Sequence, residues 1–153
     1  MLQGKTVLIS GSSRGIGAAT ARLAKEYGAE VILHGKTESP ELVSLGKELG
    51  ASYILCDVAN ESEVSEAFRK ISHLDVLVNC AGITNPKSFA ESTEEDWLNV
   101  FRINVLGTVN FCKAALPLFQ KQGTGRIVNI ASIRGYGIIS GRAAYSTSKA
   151  AII

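Results

Sequence analysis

The alternation of short apolar runs with amphipathic stretches is the feature that most constrains the fold of this chain. Five runs predict strands, and a stretch with helical spacing follows each of them: TVLIS, EVILHG, SYILCDV, DVLVN and GRIVNIAS. The runs are apolar almost throughout, as is typical of strands covered on both faces. The order therefore predicts a single α/β domain over residues 1–153, with a doubly wound parallel sheet and helices on both faces.

Sequence signals at the helix ends support this division. Residues typical of helix starts precede three of the predicted helices: Ser39, Asn60 and Thr93. Glu63, three residues after Asn60, completes a capping-box pattern. The helix that follows Thr93 is long, and a bend is expected near Gly107 or Pro117. The last helix is expected to begin near Ala143 or Ala144.

Charge and cysteine content narrow the functional classes. The chain has 16 basic and 14 acidic residues, a balance that does not favour a nucleic-acid or anionic-membrane surface. No apolar stretch approaches the roughly 20 residues that span a bilayer, and the N-terminus does not follow the pattern of a signal peptide. The three cysteines, Cys56, Cys80 and Cys112, do not have the spacing of a metal site. These features predict a protein of the reducing cytoplasm.

A glycine-rich turn, GSSRGIG, follows the first predicted strand and leads into a helix. Ligands of such sheets bind beyond the carboxyl ends of the strands, and the N-terminus of a helix attracts anions there. Gly11 permits a tight turn, Gly15 lets the backbone approach a pyrophosphate, and Gly17 allows close packing of helix on strand. The alternative is a tight turn with incidental glycines. Since no Lys-Ser or Lys-Thr pair follows, a nucleoside triphosphatase loop is disfavoured.

The residues after the second strand bear on which dinucleotide binds. A site for a free ribose 2′-hydroxyl carries an acidic residue there. This chain has His34, Lys36 and Thr37 instead, and Arg14 lies within the glycine turn. Two cations and no carboxylate favour a 2′-phosphate, hence NADP(H) over NAD(H). Lys36 is alternatively a solvated loop cation.

Small and polar residues follow the third and fourth strands. Asp57 is positioned either to accept a hydrogen bond from an adenine amino group or to begin the next turn. The small residues of NCAG would let a ribose lie against the backbone, although Gly82 also fits a plain turn. Asn79 is expected to tie neighbouring strands together.

Three residues near the end of the chain could form a site for carbonyl reduction: Ser132, Tyr145 and Lys149. A free phenol has a pKa of about 10, too high for easy proton exchange at neutral pH. An ammonium one helical turn away, with a cationic nicotinamide ring, would stabilise the phenolate. The Ser132 hydroxyl could hold the substrate oxygen. Taken singly, the three residues also fit a loop serine, a helix aromatic and a surface lysine.

Six motifs occur in the order and at the spacings of the short-chain dehydrogenase/reductase family, which the whole chain strongly resembles: GSSRGIG, CDV, NCAG, INVLG, NIAS and YSTSK. Among its branches, the chain is most similar to the 3-oxoacyl-carrier-protein reductases. The resemblance implies a Rossmann-like sheet with strand order 3-2-1-4-5. It also implies an oxidoreductase that transfers hydride between NADP(H) and a carbonyl or alcohol substrate, with a 3-oxoacyl thioester as the candidate.

The resemblance assigns roles to individual residues. Tyr145 would be the general acid/base, Ser132 would hold the substrate oxygen, and Lys149 would bind the nicotinamide ribose. Asn104, in INVLG, would hold a water of the proton relay. Besides Tyr145 and Lys149, the implied cofactor contacts are Gly11, Ser13, Arg14, Gly15, Ile16, Gly17, Lys36, Asp57, Val58, Asn79, Ala81 and Gly82.

Two departures from the family pattern affect these expectations. Cys80 stands where the family usually has a second Asn, at a contact expected to run through the backbone. The chain also stops about two turns into its last helix, where family members continue with a sixth and a seventh strand. We therefore expect an incomplete domain whose fifth strand is an apolar edge. A full-length form would be a homodimer or homotetramer, and the alternative function is an inactive dinucleotide-binding or interaction module.

Overall fold

The computed structural model of the protein describes residues 1–137 and 140–153. At its centre is a five-stranded parallel sheet in the order β3-β2-β1-β4-β5, which confirms the predicted topology. The strands are β1 Thr6–Ile9, β2 Glu30–Gly35, β3 Ser52–Leu55, β4 Val76–Asn79 and β5 Arg126–Asn129. Ile138 and Ile139, in the loop predicted before the last helix, lie outside the described residues.

Strand β1 lies in the middle of the sheet and sets its register. Val7 pairs with Val31 of β2 on one side and with Val76 of β4 on the other. All strands run in parallel, so their carboxyl ends lie at one edge of the sheet. The strands predicted from SYILCDV and GRIVNIAS are shorter than expected, because the chain leaves the sheet after Leu55 and Asn129. Residues after those points are thereby free to form the walls of a site.

Helices lie between successive strands, and a last helix follows β5. They are α1 Gly15–Glu26, α2 Pro40–Leu49, α3 Glu61–Phe68, α4 Glu94–Phe101, α5 Gly107–Gln122 and α6 Ala143–Ala150. The predicted caps are present, since Ser39 accepts the N–H of Leu42 and Thr93 forms a reciprocal capping box with Asp96. Within the described residues, none of the helices has both the length and the apolar character to cross a bilayer.

The capping box predicted at the start of α3 is only half formed. The Asn60 side chain caps the helix by accepting the N–H groups of Ser62 and Glu63. The Glu63 carboxylate, however, accepts from the Asn60 side chain and from the backbone N–H of Asp57 at 2.8 Å, not from the Asn60 backbone. The Asn60 N–H donates to the Asp57 carbonyl instead. The cap residues therefore also fix the backbone around Asp57.

The long helix predicted after Thr93 is divided by a π-helical turn, Arg102–Leu106, between α4 and α5. The interruption lies directly before Gly107, one of the two predicted bend positions, while α5 continues through Pro117. A Cβ at Gly107 would lie 2.7 Å from Cγ2 of Val58, so only glycine lets α5 pack this closely against the segment after β3. Turns of this kind occur often at functional sites.

Two apolar clusters cover the two faces of the sheet. Helices α1 and α2 pack over Val7 and Ile9 of β1, and α3 and α5 pack over Leu8. This alternation along β1 follows from the two-residue period of a strand and places a hydrophobic core on each face. β5 is different, because Ile127 and Val128 keep 43% and 46% of their surface exposed. The predicted apolar edge strand is therefore present.

Candidate active site

The glycine turn after β1 owes its shape to two close approaches. Gly11 has a φ of +64°, and a Cβ there would lie 2.7 Å from Cα of Ala81. A Cβ at Gly17 would lie 2.4 Å from the carbonyl oxygen of Gly11, so α1 can begin this close to β1 only with glycine. A Cβ at Gly15, by contrast, would have no neighbouring atom within 4 Å among the described residues. The turn is thus tight toward the protein and open on its outer side.

His34, at the end of β2, forms hydrogen bonds that hold this turn from inside the protein. Its Nδ1 accepts the N–H of Gly11 at 3.0 Å, and its Nε2 lies 3.1 Å from the carbonyl oxygen of Cys56. Its backbone exchanges hydrogen bonds with Ser12, through the N–H of Ser12 and through the Ser12 hydroxyl. The side chain is buried, and desolvation lowers its pKa to about 4. The sequence placed His34 near the site but did not reveal these contacts.

Lys36 and Asp57 form an ion pair at the end of the site nearest β2 and β3. The Lys36 Nζ lies 2.6 Å from Oδ2 of Asp57, and the lysine side chain is 70% exposed. Partial burial opposes ionisation of Asp57, but hydrogen bonds from Lys36 and from the Ala59 N–H outweigh it and lower the pKa of the carboxyl. Arg14 is exposed at the start of α1. Both predicted cations therefore have access to an incoming anion.

Ser10 shapes the turn after β4, through contacts for which the sequence carries no signal. Its Oγ accepts the backbone N–H groups of Cys80 and Ala81, both at 3.0 Å. Asn79, by contrast, turns its side chain toward β5 and donates to Oδ1 of Asn129 at 2.8 Å. It thus ties neighbouring strands together, as expected from the sequence, and its side chain lies outside the cavity described below.

Tyr145 and Lys149 lie one turn apart on α6 and face the same cavity. The Lys149 Nζ is 6.0 Å from the centre of the Tyr145 ring and donates to the carbonyl oxygen of Ile130 at 2.6 Å. Lys149 is only 7% exposed, and burial lowers its pKa. The anticipated juxtaposition of phenol and ammonium is present.

Asn104, in the π-helical turn, joins two segments that border the cavity. Its Oδ1 accepts the N–H of Ile83 at 2.8 Å, and its Nδ2 donates to the Ile83 carbonyl at 3.0 Å and to Oγ of Ser148 at 2.9 Å. Asn104 is 1% exposed and does not line the cavity. Both amide hydrogens of Asn104 are thus in use, and Oδ1 accepts one hydrogen bond. The role of Asn104 in holding a water stays a prediction.

Ser132 lies in the extended segment after β5, on the same side of the molecule as Tyr145. Its Oγ accepts the backbone N–H of Arg134 at 3.2 Å and caps a short 3₁₀ turn, Ile133–Gly135. Since the oxygen serves as the acceptor in that bond, the hydroxyl hydrogen remains available to a substrate oxygen.

One open cavity of about 660 Å³ connects these groups along the carboxyl edge of the sheet. Thirteen of the residues predicted from the sequence line it: Gly11, Ser13, Arg14, Ile16, Gly17, Lys36, Asp57, Val58, Ala81, Gly82, Ser132, Tyr145 and Lys149. The sequence missed several others, among them Thr84, Ile103 and Arg142. The cavity is in the size range of small-molecule and cofactor sites. Two exposed cations of its lining, Arg14 and Lys36, fit the phosphates of a dinucleotide.

Comparison with known proteins agrees with this geometry. The chain matches the short chain dehydrogenase family over residues 5–153. Over 99% of its length, it is 40% identical to a 3-oxoacyl-[acyl-carrier-protein] reductase FabG of Rickettsia prowazekii and 34% identical to an uncharacterised oxidoreductase of Staphylococcus haemolyticus. It also resembles the crystal structure of a gluconate 5-dehydrogenase from Burkholderia cenocepacia in complex with NADP and tartrate, with a TM-score of 0.93 and 29% identity over 99% of this chain.

The chain covers only part of each of these proteins. It spans 64% of the Rickettsia protein, 68% of the Staphylococcus protein and 62% of the Burkholderia chain.

The strand order and the glycine turn are those of a Rossmann-like nucleotide-binding domain. The chain belongs to the short-chain dehydrogenase/reductase family, as its match over residues 5–153 shows. The family and the fold predicted from the sequence are confirmed.

Proposed function

We propose that this protein takes part in hydride transfer between NADP(H) and a carbonyl or alcohol substrate. The observation that carries the proposal is the continuous cavity that joins the glycine turn to Ser132, Tyr145 and Lys149. A phosphate-binding turn alone would fit many nucleotide-binding proteins. A tyrosine with a buried ammonium at the far end of the same cavity fits proton transfer to a carbonyl oxygen.

NADP(H) is the proposed cofactor, and it supplies or accepts the hydride. Its adenosine phosphates would lie against the outer side of the glycine turn, with the 2′-phosphate near Lys36 and Arg14. The end of β2 carries no carboxylate side chain that would bind a 2′-hydroxyl, because His34, Gly35 and Lys36 occupy it. Binding of NADP by the Burkholderia gluconate 5-dehydrogenase is consistent with this choice.

In the reductive direction, the protein's side chains act on the substrate oxygen. The Ser132 hydroxyl donates a hydrogen bond to the carbonyl oxygen and orients it. As hydride arrives at the carbonyl carbon, the Tyr145 hydroxyl gives its proton to the oxygen, and an alcohol results. The nearby positive charge of Lys149 stabilises the phenolate that remains. Asn104 holds α6 against the turn after β4, which keeps Tyr145 and Lys149 in place.

A 3-oxoacyl thioester is the proposed substrate. The identity of 40% to the Rickettsia reductase supports it, compared with 29% to the gluconate 5-dehydrogenase. A hydroxy acid such as gluconate is therefore the second substrate to test. A cytoplasmic location, with a full-length form that is a homodimer or homotetramer, completes the proposal.

The test combines cofactor binding with turnover. We expect the chain to bind NADPH in a fluorescence titration and to oxidise it with acetoacetyl coenzyme A, followed by absorbance. Tyr145→Phe keeps the ring but removes the proton, so turnover should fall by about a thousandfold or more while NADPH binding stays within about twofold. Tyr27→Phe, on the exposed C-terminal end of α1, is the matched control and should change neither.

Two results would contradict parts of the proposal. Turnover retained in Tyr145→Phe would remove Tyr145 from its proposed role. Binding of NADPH without any turnover by the unaltered chain would favour the alternative, a dinucleotide-binding or interaction module that does not catalyse on its own.

A further inference from the structure

His34 is the one buried imidazole of the described residues, and its contacts reach three strand ends at once. It lies at the end of β2, bonds Gly11 after β1 and reaches Cys56 after β3. The bonded residues are 23 and 22 positions away in the sequence. Both ring nitrogens are thus hydrogen-bonded, as buried polar groups generally are, and their partners lie on the segments after β1 and β3.

The two ring contacts determine which nitrogen carries the hydrogen. The backbone N–H of Gly11 is a donor, so Nδ1 must be the acceptor. The partner of Nε2 is a carbonyl oxygen, so Nε2 must carry the hydrogen and donate it. The neutral Nε2–H form satisfies both contacts, whereas the Nδ1–H form or the protonated ring would bring a second N–H against that of Gly11.

The contacts of His34 with Gly11 and Cys56 link the two ends of the part of the cavity that would hold the adenosine half of the cofactor. Gly11 begins the phosphate-binding turn, and Cys56 directly precedes Asp57, the partner of Lys36. Phe111 of α5 packs edge-on against the ring, with 4.9 Å between the ring centres, and prevents it from rotating away. His34 thereby fixes the distance between the phosphate end and the 2′-phosphate end of the site.

We propose that His34 is a positioning residue for dinucleotide binding, acting in its neutral Nε2–H form through Gly11 and Cys56. The inference rests on the proposed function, because it takes the cavity beside the glycine turn as a dinucleotide site. His34 does not touch the reacting atoms. It sets the backbone against which the cofactor phosphates lie, and affinity for the cofactor depends on the acceptor at Nδ1.

Three substitutions separate the two ring contacts. In His34→Asn, Oδ1 lies near the position of Nδ1 and can accept the Gly11 N–H. In His34→Gln, the longer amide reaches toward the Cys56 carbonyl. His34→Leu has a similar size and neither contact. We expect the affinity of the His34→Asn variant for NADP⁺ to stay within about threefold of that of the unaltered protein. The Gln and Leu variants should bind NADP⁺ about tenfold or more weakly, because they leave the Gly11 N–H without an acceptor.

The control has the same change at the other histidine. His73 is exposed at the opposite edge of the sheet, beside Asp75, and His73→Asn should leave NADP⁺ affinity unchanged. Affinity is measured by isothermal titration calorimetry at neutral pH, together with the urea midpoint of each variant. A merely structural role would lower the urea midpoints of Asn and Leu without separating their affinities for NADP⁺.

Nitrogen-15 NMR of the imidazole tests the geometry without any substitution, so the inference stays open to refutation even if His34→Leu does not fold. We expect Nδ1 without hydrogen and Nε2 with hydrogen in the free protein. The opposite tautomer, or equal NADP⁺ affinity in the Asn, Gln and Leu variants, would overturn this inference alone. Absence of NADP⁺ and NAD⁺ binding by the unaltered protein would overturn the proposed function and this inference together.

Discussion

At the scale of single residues, the pairing of Lys36 with Asp57 bears on cofactor choice. Both side chains reach solvent, and ion pairs of this kind contribute little to stability. A doubly charged phosphate can therefore compete with Asp57 for the lysine. Lys36 can release Asp57 and bind a phosphate instead, and Asp57 then remains in contact with solvent.

Replacement of Lys36 tests this exchange. Lys36→Ala should weaken NADP⁺ binding about tenfold and NAD⁺ binding less than about twofold, because only NADP⁺ has a 2′-phosphate for the ammonium. The measurement is titration calorimetry with both dinucleotides. Asp57→Asn frees the lysine and should preserve the preference for NADP⁺. Equal losses of both cofactors in Lys36→Ala would show that Lys36 does not bind the 2′-phosphate.

His34 makes folding stability sensitive to acid. Burial lowers its pKa from 6.5 to about 4 in the folded protein. The pKa of His34 is lower in the folded protein than in the unfolded chain, so the unfolded chain binds the proton first as the pH falls. The contribution of the neutral imidazole to folding stability is therefore fully present above the pKa of the unfolded chain. Between pH 6.5 and about 4, stability should therefore fall by on the order of 3 kcal/mol from this group.

Urea unfolding at several pH values measures this loss. The difference between the unaltered protein and His34→Asn isolates the imidazole, because every other ionisable group is present in both. The difference should change steadily below about pH 6.5 and level off near pH 4. A difference that does not depend on pH would mean that His34 is not held neutral by the fold.

At the scale of helices and strands, the sequence predicts the features that depend on residues close together in the chain, such as the starts of helices. Ser39 and Thr93 mark helix starts because their hydroxyls bond backbone groups three residues away. The π-helical turn before Gly107 could not be predicted in this way, since it depends on how closely α5 packs on Val58. The contacts of His34 and Ser10 were missed for the same reason, because their partners lie on other segments of the chain.

For the site residues too, the sequence predicts position along the chain but not the contacts between distant segments. Topology places residues that follow the strands at one edge, and this rule located Gly11, Lys36, Asp57 and Ser132 from the sequence alone. It did not determine where each side chain points. Asn79, for example, lies at the end of β4 but bonds Asn129 of β5 outside the cavity.

The junction made by Asn104 couples the π-helical turn to α6. Asn104→Asp replaces the donating amide by an acceptor that faces the Ile83 carbonyl and Ser148, so it should destabilise the fold by on the order of 2 to 4 kcal/mol. Urea unfolding at neutral pH measures the change. Asn99→Asp, at an exposed position of α4, is the matched control and should stay within about 0.5 kcal/mol of the unaltered protein. Equal stability of the two variants would argue against the junction.

At the scale of the whole molecule, apolar surface is distributed unevenly. The buried clusters lie under α1, α2, α3 and α5, whereas the β5 side of the sheet has only partial cover. A groove of about 400 Å³ between α5, β5 and the end of α6 is lined mostly by apolar side chains, including Val109, Leu116 and Ile127. Exposed apolar surface next to an open strand edge favours association with another chain.

We therefore expect the 153-residue chain to self-associate through this groove. Leu116→Glu places a charge in it and should shift the sedimenting species toward the monomer, with NADP⁺ affinity unchanged because the cofactor cavity lies elsewhere. Leu23→Glu is closely matched, since Leu23 of α1 is 51% exposed and Leu116 is 50% exposed, yet Leu23 lies outside the groove. Sedimentation velocity over a range of concentrations distinguishes the outcomes. A monomer at every concentration, or an equal effect of both substitutions, would show that exposed apolar surface at β5 and α5 does not drive association.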